Sequence, residues 1–379
     1  MEERFLSEAK DLFELEHGRE SLSTVNALCL MYLTSALLGR DRAGSMYRHL
    51  AYEMLKRLGL EREFAKLSDD DPQEVLTRNV LSKTLWGLFC FEGRMSYFYS
   101  EPPLLRRPAV PILFREQTEE GDQDKAKEGV PAGSLHRATS GLFRALCDLS
   151  ILFYDFMTYN AASAAAIGSS KDLENRAQLY SRLNDWLQSL PDRLHAQANF
   201  TTQTCYLSVH ISEAVFSILQ LLPPEERLAG GAVNIKQLCI RRCESDAKMV
   251  EQYLKVLPPD PLIARGLFVS LLILVTFLDD MGVHRLFTQS CHLLRSCIGL
   301  SPMVRLLIKA IQASAWSLKK EIPASARVYF EELDEHETDR DPPMSFVLPH
   351  RSEVRELLSA EGQREPHQLG VQLRTLISR

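Results

Sequence analysis

The chain has 379 residues, of which 45% are hydrophobic and 25% are charged, and its 44 basic and 50 acidic side chains give a net charge of −6. These proportions are typical of a folded protein and exclude a collagen-like or low-complexity chain. The slight acidic excess argues against a chain that binds nucleic acid by itself, because affinity for phosphate comes from clustered Lys and Arg.

The first predicted elements are a pair of helices. The first is capped by a hydroxyl side chain within residues 21–24 and runs to Leu38. The second starts near Arg42 and repeats apolar residues at intervals of three or four, which places them on one helical face. It ends at Gly59, where a left-handed C-cap is expected.

A third helix is predicted over about 73–99. The prolines that follow it, from Pro102 to Pro111, require an extended chain. Residues 116–134 contain almost no large apolar side chain, and we expect a polar, solvated loop there.

The rest of the chain again shows helical periodicity. The predicted helices are 135–167, 171–189, 200–222, 232–256, 261–281, 283–298 and 301–321. The most apolar run, 266–278, is too short at about 1.5 Å per residue to cross a hydrocarbon layer of roughly 30 Å, so we expect a buried helix and no membrane contact.

The predicted fold class is therefore all-α, a large multi-helix bundle of packed antiparallel helices. It forms one domain over 1–330, and an acidic, flexible tail follows over 331–379, in which a short helix is predicted at 352–360. The eight cysteines include no Cys-x2-Cys pair, so we expect reduced core thiols and no metal.

Motifs in residues 1–115 resemble a known family. A helix ends in Leu58-Gly59-Leu60, and a later helix carries a bulky Trp, an acid–x–Arg–x–Ser step and a Pro-rich exit. The positions that carry this pattern, with one aromatic neighbour, are Leu58, Gly59, Leu60, Trp86, Phe89, Glu92, Arg94, Ser96, Tyr99 and Pro102. Together they resemble the fungal-specific transcription factor domain, the middle homology region of zinc-cluster regulators. Gly93 makes the acid–Arg spacing one residue wider than the common form.

The resemblance implies a nuclear regulator of transcription rather than an enzyme. It would respond to a small-molecule effector or act through protein partners such as other transcription regulators. Members of the family typically carry a six-cysteine, two-zinc DNA-binding module upstream, and this sequence has no such cluster. We therefore expect no cofactor and no direct nucleic-acid binding. Two explanations stay open: the protein is a family member that lacks the DNA-binding module, or the gene model has lost an exon upstream of Met1.

Glu92 lies on an apolar stripe of the third helix, so its carboxylate needs a partner. Arg48, His49 and Arg57 on the preceding helix are candidates. The side chain either belongs to a satisfied core pair or lines the rim of an effector pocket. The same alternatives, core or small-molecule cavity, hold for the aromatic residues nearby, which are Trp86, Phe89, Phe91, Tyr97, Phe98 and Tyr99.

Two alternatives to a regulator remain. The run from Asp70 to Glu74 (DDPQE) resembles the aspartate-rich Mg²⁺ site of terpenoid synthases. However, Pro72 places it at a helix start, where acidic residues are favoured by the helix dipole in any case. The second alternative is an inactive, truncated remnant of a zinc-cluster transcription factor.

Overall fold

The computed structural model describes residues 2–38, 40–99, 101–113, 132–163, 165–228, 231–299 and 302–331. Within these ranges the regular structure is α-helical, apart from one 3₁₀ turn at Asp192–Leu194 and an isolated bridge between Arg227 and Asn234. The all-α prediction is confirmed.

The first part of the chain contains five helices, which are α1 Glu2–Leu15, α2 Leu22–Leu37, α3 Asp41–Leu58, α4 Leu60–Phe64 and α5 Pro72–Tyr99. Helices α2 and α3 pack against each other, and α5 is the longest of the five. The Ser21 hydroxyl caps α2 by accepting the Thr24 N–H at 3.0 Å. Gly59 ends α3 with a φ of 59°, in the left-handed region, as expected. Helix α1 was not predicted, although it packs on α2 and its Leu6 and Phe13 join the apolar core of this part of the chain.

The second part contains eight further helices within the described ranges. They are α6 Ala132–Ala162, α7 Ser170–Ser189, α8 Thr202–Leu219, α9 Ile235–Val256, α10 Pro261–Val275, α11 Met281–Ser296, α12 Pro302–Ser317 and α13 Ala324–Glu331. Helix α13 was not predicted.

Several predicted helix boundaries were wrong by three residues or more, among them the end of the helix predicted over 301–321, which stops at Ser317. Helix α6 starts at Ala132, inside the predicted polar loop 116–134, and it ends five residues before 167, ahead of the left-handed Gly168. The helix predicted over 261–281 stops at Val275 because Asp280 accepts the Gly282 N–H and caps α11 instead. Residues 116–131 of the predicted loop, the tail 332–379 and the predicted helix 352–360 lie outside the described residues.

The buried apolar side chains form two clusters. The N-terminal cluster comes from α1–α5, the segment 101–113 and Cys147 of α6. The C-terminal cluster comes from α6–α13, and Tyr97 of α5 belongs to it. Helices α5 and α6 pack on each other and contribute to both clusters. The single domain over 1–330 stays a prediction, and these two helices are the physical link that it requires.

All eight cysteines are buried free thiols. Helix α10, which holds residues 266–275 of the most apolar run, packs against α8, α9, α11 and α12. Among the described residues, the helices are all too short or too polar to span a bilayer.

Candidate functional site

The motif residues of α5 meet a buried arginine from α3. Arg48 is 2% exposed, and its Nη1 lies 3.9 Å from Oε2 of Glu92, which is 1% exposed. Its guanidinium lies 5.8 Å from the Tyr32 ring centroid and 5.1 Å from that of Tyr99, within cation–π range. Nη2 also reaches Glu101 at 3.9 Å. We call these five residues the Arg48 cluster.

The carboxylate of Glu92 has two partners, one on each oxygen. It faces the Arg48 charge, and its Oε1 accepts the Leu104 backbone N–H at 2.7 Å. Burial raises the pKa of Glu92 above its ordinary value, although Arg48 acts against that shift. Of the three predicted partners, the structure therefore assigns Arg48, while Arg57 pairs with Glu20 instead.

Helix α5 also holds in place the chain that follows it. The Ser96 hydroxyl donates to the Glu101 carbonyl at 2.6 Å, and the Trp86 indole N–H donates to the Val110 carbonyl at 3.1 Å. With the Glu92–Leu104 bond, these contacts hold 101–113 against α5. The family-like residues thus anchor the Pro-rich segment.

Arg94 lies on a different face of α5 and takes part in a second buried network. Its Nη1 lies 2.9 Å from Nε2 of His210, whose Nδ1 lies 3.0 Å from Oε2 of Glu213. Oε1 of Glu213 pairs with Nη2 of Arg265 at 2.7 Å. The Arg265 guanidinium stacks 3.2 Å from the Phe98 ring centroid. We call these five residues the α5–α8–α10 bridge.

Hydrogen bonding fixes the state of the histidine in the bridge. Arginine can only donate, so Nε2 of His210 accepts from Arg94 and the proton sits on Nδ1, facing Glu213. Burial, and then the Arg94 charge, lower the pKa of His210 from 6.5 to about 4. Burial acts to raise the pKa of Glu213, but Arg265 and His210 lower it below its ordinary value. The bridge therefore holds a neutral imidazole between two arginines and a carboxylate.

The other predicted positions do not converge on either network. Leu58 and Leu60 flank the Gly59 cap and pack on the N-terminal cluster. Phe89 is buried in that cluster, and Pro102 is exposed. The candidate site residues thus divide among a helix cap, an apolar core, the Arg48 cluster, the bridge and the segment 101–113, to which Ser96 bonds and in which Pro102 is exposed.

His210, Glu213 and Arg265 were not selected from the sequence. A usable signal was present, since Glu213 and Arg265 are each the only Asp, Glu, Lys or Arg residue in a helix that is mostly buried. Their partners come from a distant part of the chain, and periodicity alone does not reveal such pairs.

The acidic run at the start of α5 makes local contacts. Asp71 accepts the Gln73 N–H at 3.0 Å, and Glu74 accepts the Ser68 N–H at 2.6 Å. Asp70 accepts from the Ser68 hydroxyl at 3.0 Å. These contacts are those of a capped helix start and do not favour the terpenoid-synthase alternative. Among the described residues, no three His, Cys, Asp or Glu side chains lie together as metal ligands would.

Comparison with known families identifies the part of the chain that holds the Arg48 cluster. The family described as the fungal specific transcription factor domain matches residues 2–188. The chain carries a fungal specific transcription factor domain. The matched residues span α1 to nearly the end of α7. Within the bridge, Arg94 and Phe98 lie inside the fungal specific transcription factor domain, whereas the other three residues lie beyond the matched range.

Curated relatives extend this similarity past the fungal specific transcription factor domain. The nitrogen assimilation transcription factor nit-4 of Neurospora crassa is 23% identical over 275 residues, 67% of this chain and 24% of its own length. The nitrogen assimilation transcription factor nirA of Emericella nidulans is 25% identical over 275 residues, 66% of this chain and 29% of its own length. The notoamide biosynthesis transcriptional activator notL' of Aspergillus versicolor is 27% identical over 194 residues, 49% of this chain and 30% of its own length.

The chain thus spans less than a third of the length of these relatives. No solved structure matches it significantly.

Proposed function

We propose that this protein is a nuclear regulator of transcription in which the described helices form a regulatory domain without catalytic activity. The observation that supports this most strongly is the fungal specific transcription factor domain over residues 2–188, together with three relatives that are named as transcription factors or activators. The regulatory domain receives a signal from an effector or a protein partner and alters contacts with other regulators.

The α5–α8–α10 bridge supplies a physical route for such a signal. It connects α5 to α8 and α10 through Arg94, His210, Glu213 and Arg265. Buried charges tolerate few arrangements, because each displaced partner leaves an uncompensated charge. A ligand that favours one packing of α8 and α10 over another would therefore shift the position of α5.

A reporter assay tests this function. The full chain is fused to an unrelated sequence-specific DNA-binding module in a fungal host that carries the matching reporter gene. We expect reporter output to change several-fold, in either direction, relative to the module alone. We expect the Arg94→Ala fusion to lose much of this change. Arg144→Ala, at a half-exposed arginine on α6, is the matched control and should behave like the wild type.

The proposal is contradicted when the wild-type fusion is nuclear and expressed but leaves reporter output at the level of the module alone.

A second measurement concerns direct DNA binding. With a net charge of −6, the isolated chain should show no measurable affinity for random duplex DNA at physiological salt.

A further inference from the structure

A cavity of about 280 Å³ lies among α8, α9, α10 and α12. At its inner end it is lined by buried side chains, including Tyr97 of α5, Leu219 and Cys239. Gln220 and Leu272, which are partly exposed, lie on its outer side. The cavity therefore runs from the surface into the C-terminal cluster and ends against the fungal specific transcription factor domain.

The walls of this cavity are mostly apolar. The aliphatic and aromatic lining includes Leu222, Ile235, Val269, Ile273 and Phe277. Among the described lining residues there is no Asp, Glu, Lys, Arg or His. A charged ligand would be buried here without a counter-charge, which is strongly unfavourable.

One polar group in the lining lacks a hydrogen-bond partner within the described part of the chain. The amide nitrogen Nε2 of Gln220 is buried and donates to no described acceptor. A buried donor without an acceptor costs free energy, and a ligand oxygen at this point would remove that cost.

We propose that this cavity binds a neutral, mainly apolar small molecule whose single oxygen acceptor, a carbonyl or ether oxygen, accepts a hydrogen bond from Gln220. The volume is near the lower end of the range for ligand sites, about 300–1,000 Å³. Roughly nine liquid waters would fill it, so the ligand has on the order of ten to fifteen non-hydrogen atoms.

The position of Tyr97 gives the site a regulatory consequence, which rests on the proposed function. Tyr97 packs edge-on against Phe153 of α6 at 5.9 Å between ring centroids and precedes Phe98 of the bridge. A ligand against Tyr97 would touch α5 and the C-terminal helices at once. Its occupancy would then bias the packing that the bridge holds.

Three naphthalene probes test the site on the purified full chain, by calorimetric titration and thermal unfolding. 2-Acetylnaphthalene has the apolar body and one carbonyl, naphthalene lacks the acceptor, and 2-naphthoate carries a charge. We expect saturable one-to-one binding and a raised Tm with 2-acetylnaphthalene, weaker binding of naphthalene and no binding of 2-naphthoate.

Two pairs of variants locate the binding. Gln220→Leu should weaken the binding of 2-acetylnaphthalene about threefold to tenfold and leave the affinity for naphthalene unchanged, because only the hydrogen bond is lost. Gln237→Leu, at an exposed position on α9, should change neither. Leu272→Trp should block both probes by filling the outer part of the cavity. Leu262→Trp, at an exposed position of the same helix, is its control.

A cavity occupied by water alone would give no saturable binding, and that result would overturn the proposal. So would equal binding of 2-naphthoate, a Leu272→Trp variant that binds as the wild type does, or a Gln220→Leu variant that weakens both probes equally. The reporter fusion separates this failure from that of the proposed function, since it measures transcription without any added probe.

Discussion

His210 shows how a single buried side chain makes the whole protein sensitive to acid. The folded protein keeps it neutral down to a pKa of about 4, whereas the unfolded chain protonates it near its ordinary value of 6.5. Arg94, Arg265 and Glu213 are the charges that face it, and a protonated imidazole would add a cation beside the two arginines. Its stabilising contribution is therefore complete above pH 6.5 and disappears as the pH falls through 4.

The first prediction concerns the variant His210→Gln. Glutamine can donate to Glu213 and accept from Arg94 without titrating. Between pH 8 and pH 5 the wild type should lose roughly 2 kcal/mol more free energy of unfolding than this variant. Urea unfolding at each pH measures the difference. His49→Gln, at an exposed histidine, should follow the wild type. Parallel pH profiles for all three proteins would show that His210 does not titrate differently on folding.

The second prediction concerns the Arg48 cluster. Glu92→Leu leaves the Arg48 guanidinium buried, with the half-exposed Glu101 as the remaining carboxylate of the Arg48 cluster, and should cost about 3 kcal/mol of unfolding free energy. Glu92→Gln keeps an acceptor for the Leu104 N–H and should cost clearly less. Urea unfolding at pH 7 gives both values.

Glu53→Leu, at an exposed position of α3, is the control for this pair and should stay within about 0.5 kcal/mol of the wild type. Equal stabilities of Glu92→Leu and Glu53→Leu would mean that the buried ion pair contributes nothing.

At the scale of elements, α8 and α10 are in close contact where Val209 of α8 faces Gly266 of α10. A Cβ added to Gly266 would lie 2.7 Å from both methyl groups of Val209. Such a distance is well inside van der Waals contact, so either the Val209 side chain or one of the two helices must shift. This close approach brings Arg265 within reach of Glu213.

The third prediction is that Gly266→Ala costs about 1–3 kcal/mol through overpacking. Adding Val209→Ala should recover part of that loss, because it removes the methyl groups that clash. The control is Gly87→Ala on α5, where the nearest side-chain atom would lie 3.8 Å away and alanine should be neutral or slightly stabilising. Thermal unfolding of the wild type, Gly266→Ala, Val209→Ala, the double variant and Gly87→Ala gives these values, and additive effects of Gly266→Ala and Val209→Ala would argue against direct contact.

Helix periodicity was sufficient to predict most elements but not their contacts. The stripe on α3, the cap at Gly59 and the need of Glu92 for a cation followed from spacing and burial alone. The end of α10 at Val275 did not, since a downstream cap at Asp280 decides it. The bridge was missed because its residues lie far apart in the sequence, and only the packing of α8 on α6 and α10 brings them together.

At the scale of the whole molecule, two helices join the two apolar clusters. Helix α5 gives Trp86 to the N-terminal cluster and Tyr97 to the C-terminal cluster. Helix α6 gives Cys147 to the first and Phe156 to the second. Because each helix is continuous, loss of one cluster exposes apolar surface of the other, and this favours cooperative unfolding.

The last prediction follows from this arrangement. In the Trp186→Phe/Trp316→Phe protein, the remaining Trp86 reports only on the N-terminal cluster, whereas far-UV circular dichroism reports on helices of both clusters. The two urea transitions should coincide. Adding Arg94→Ala removes the contact from α5 to His210 and should shift the two midpoints apart, whereas adding Arg144→Ala should not. Separate transitions already present without Arg94→Ala would mean that the N-terminal cluster folds independently and that residues 1–330 are more than one cooperative unit.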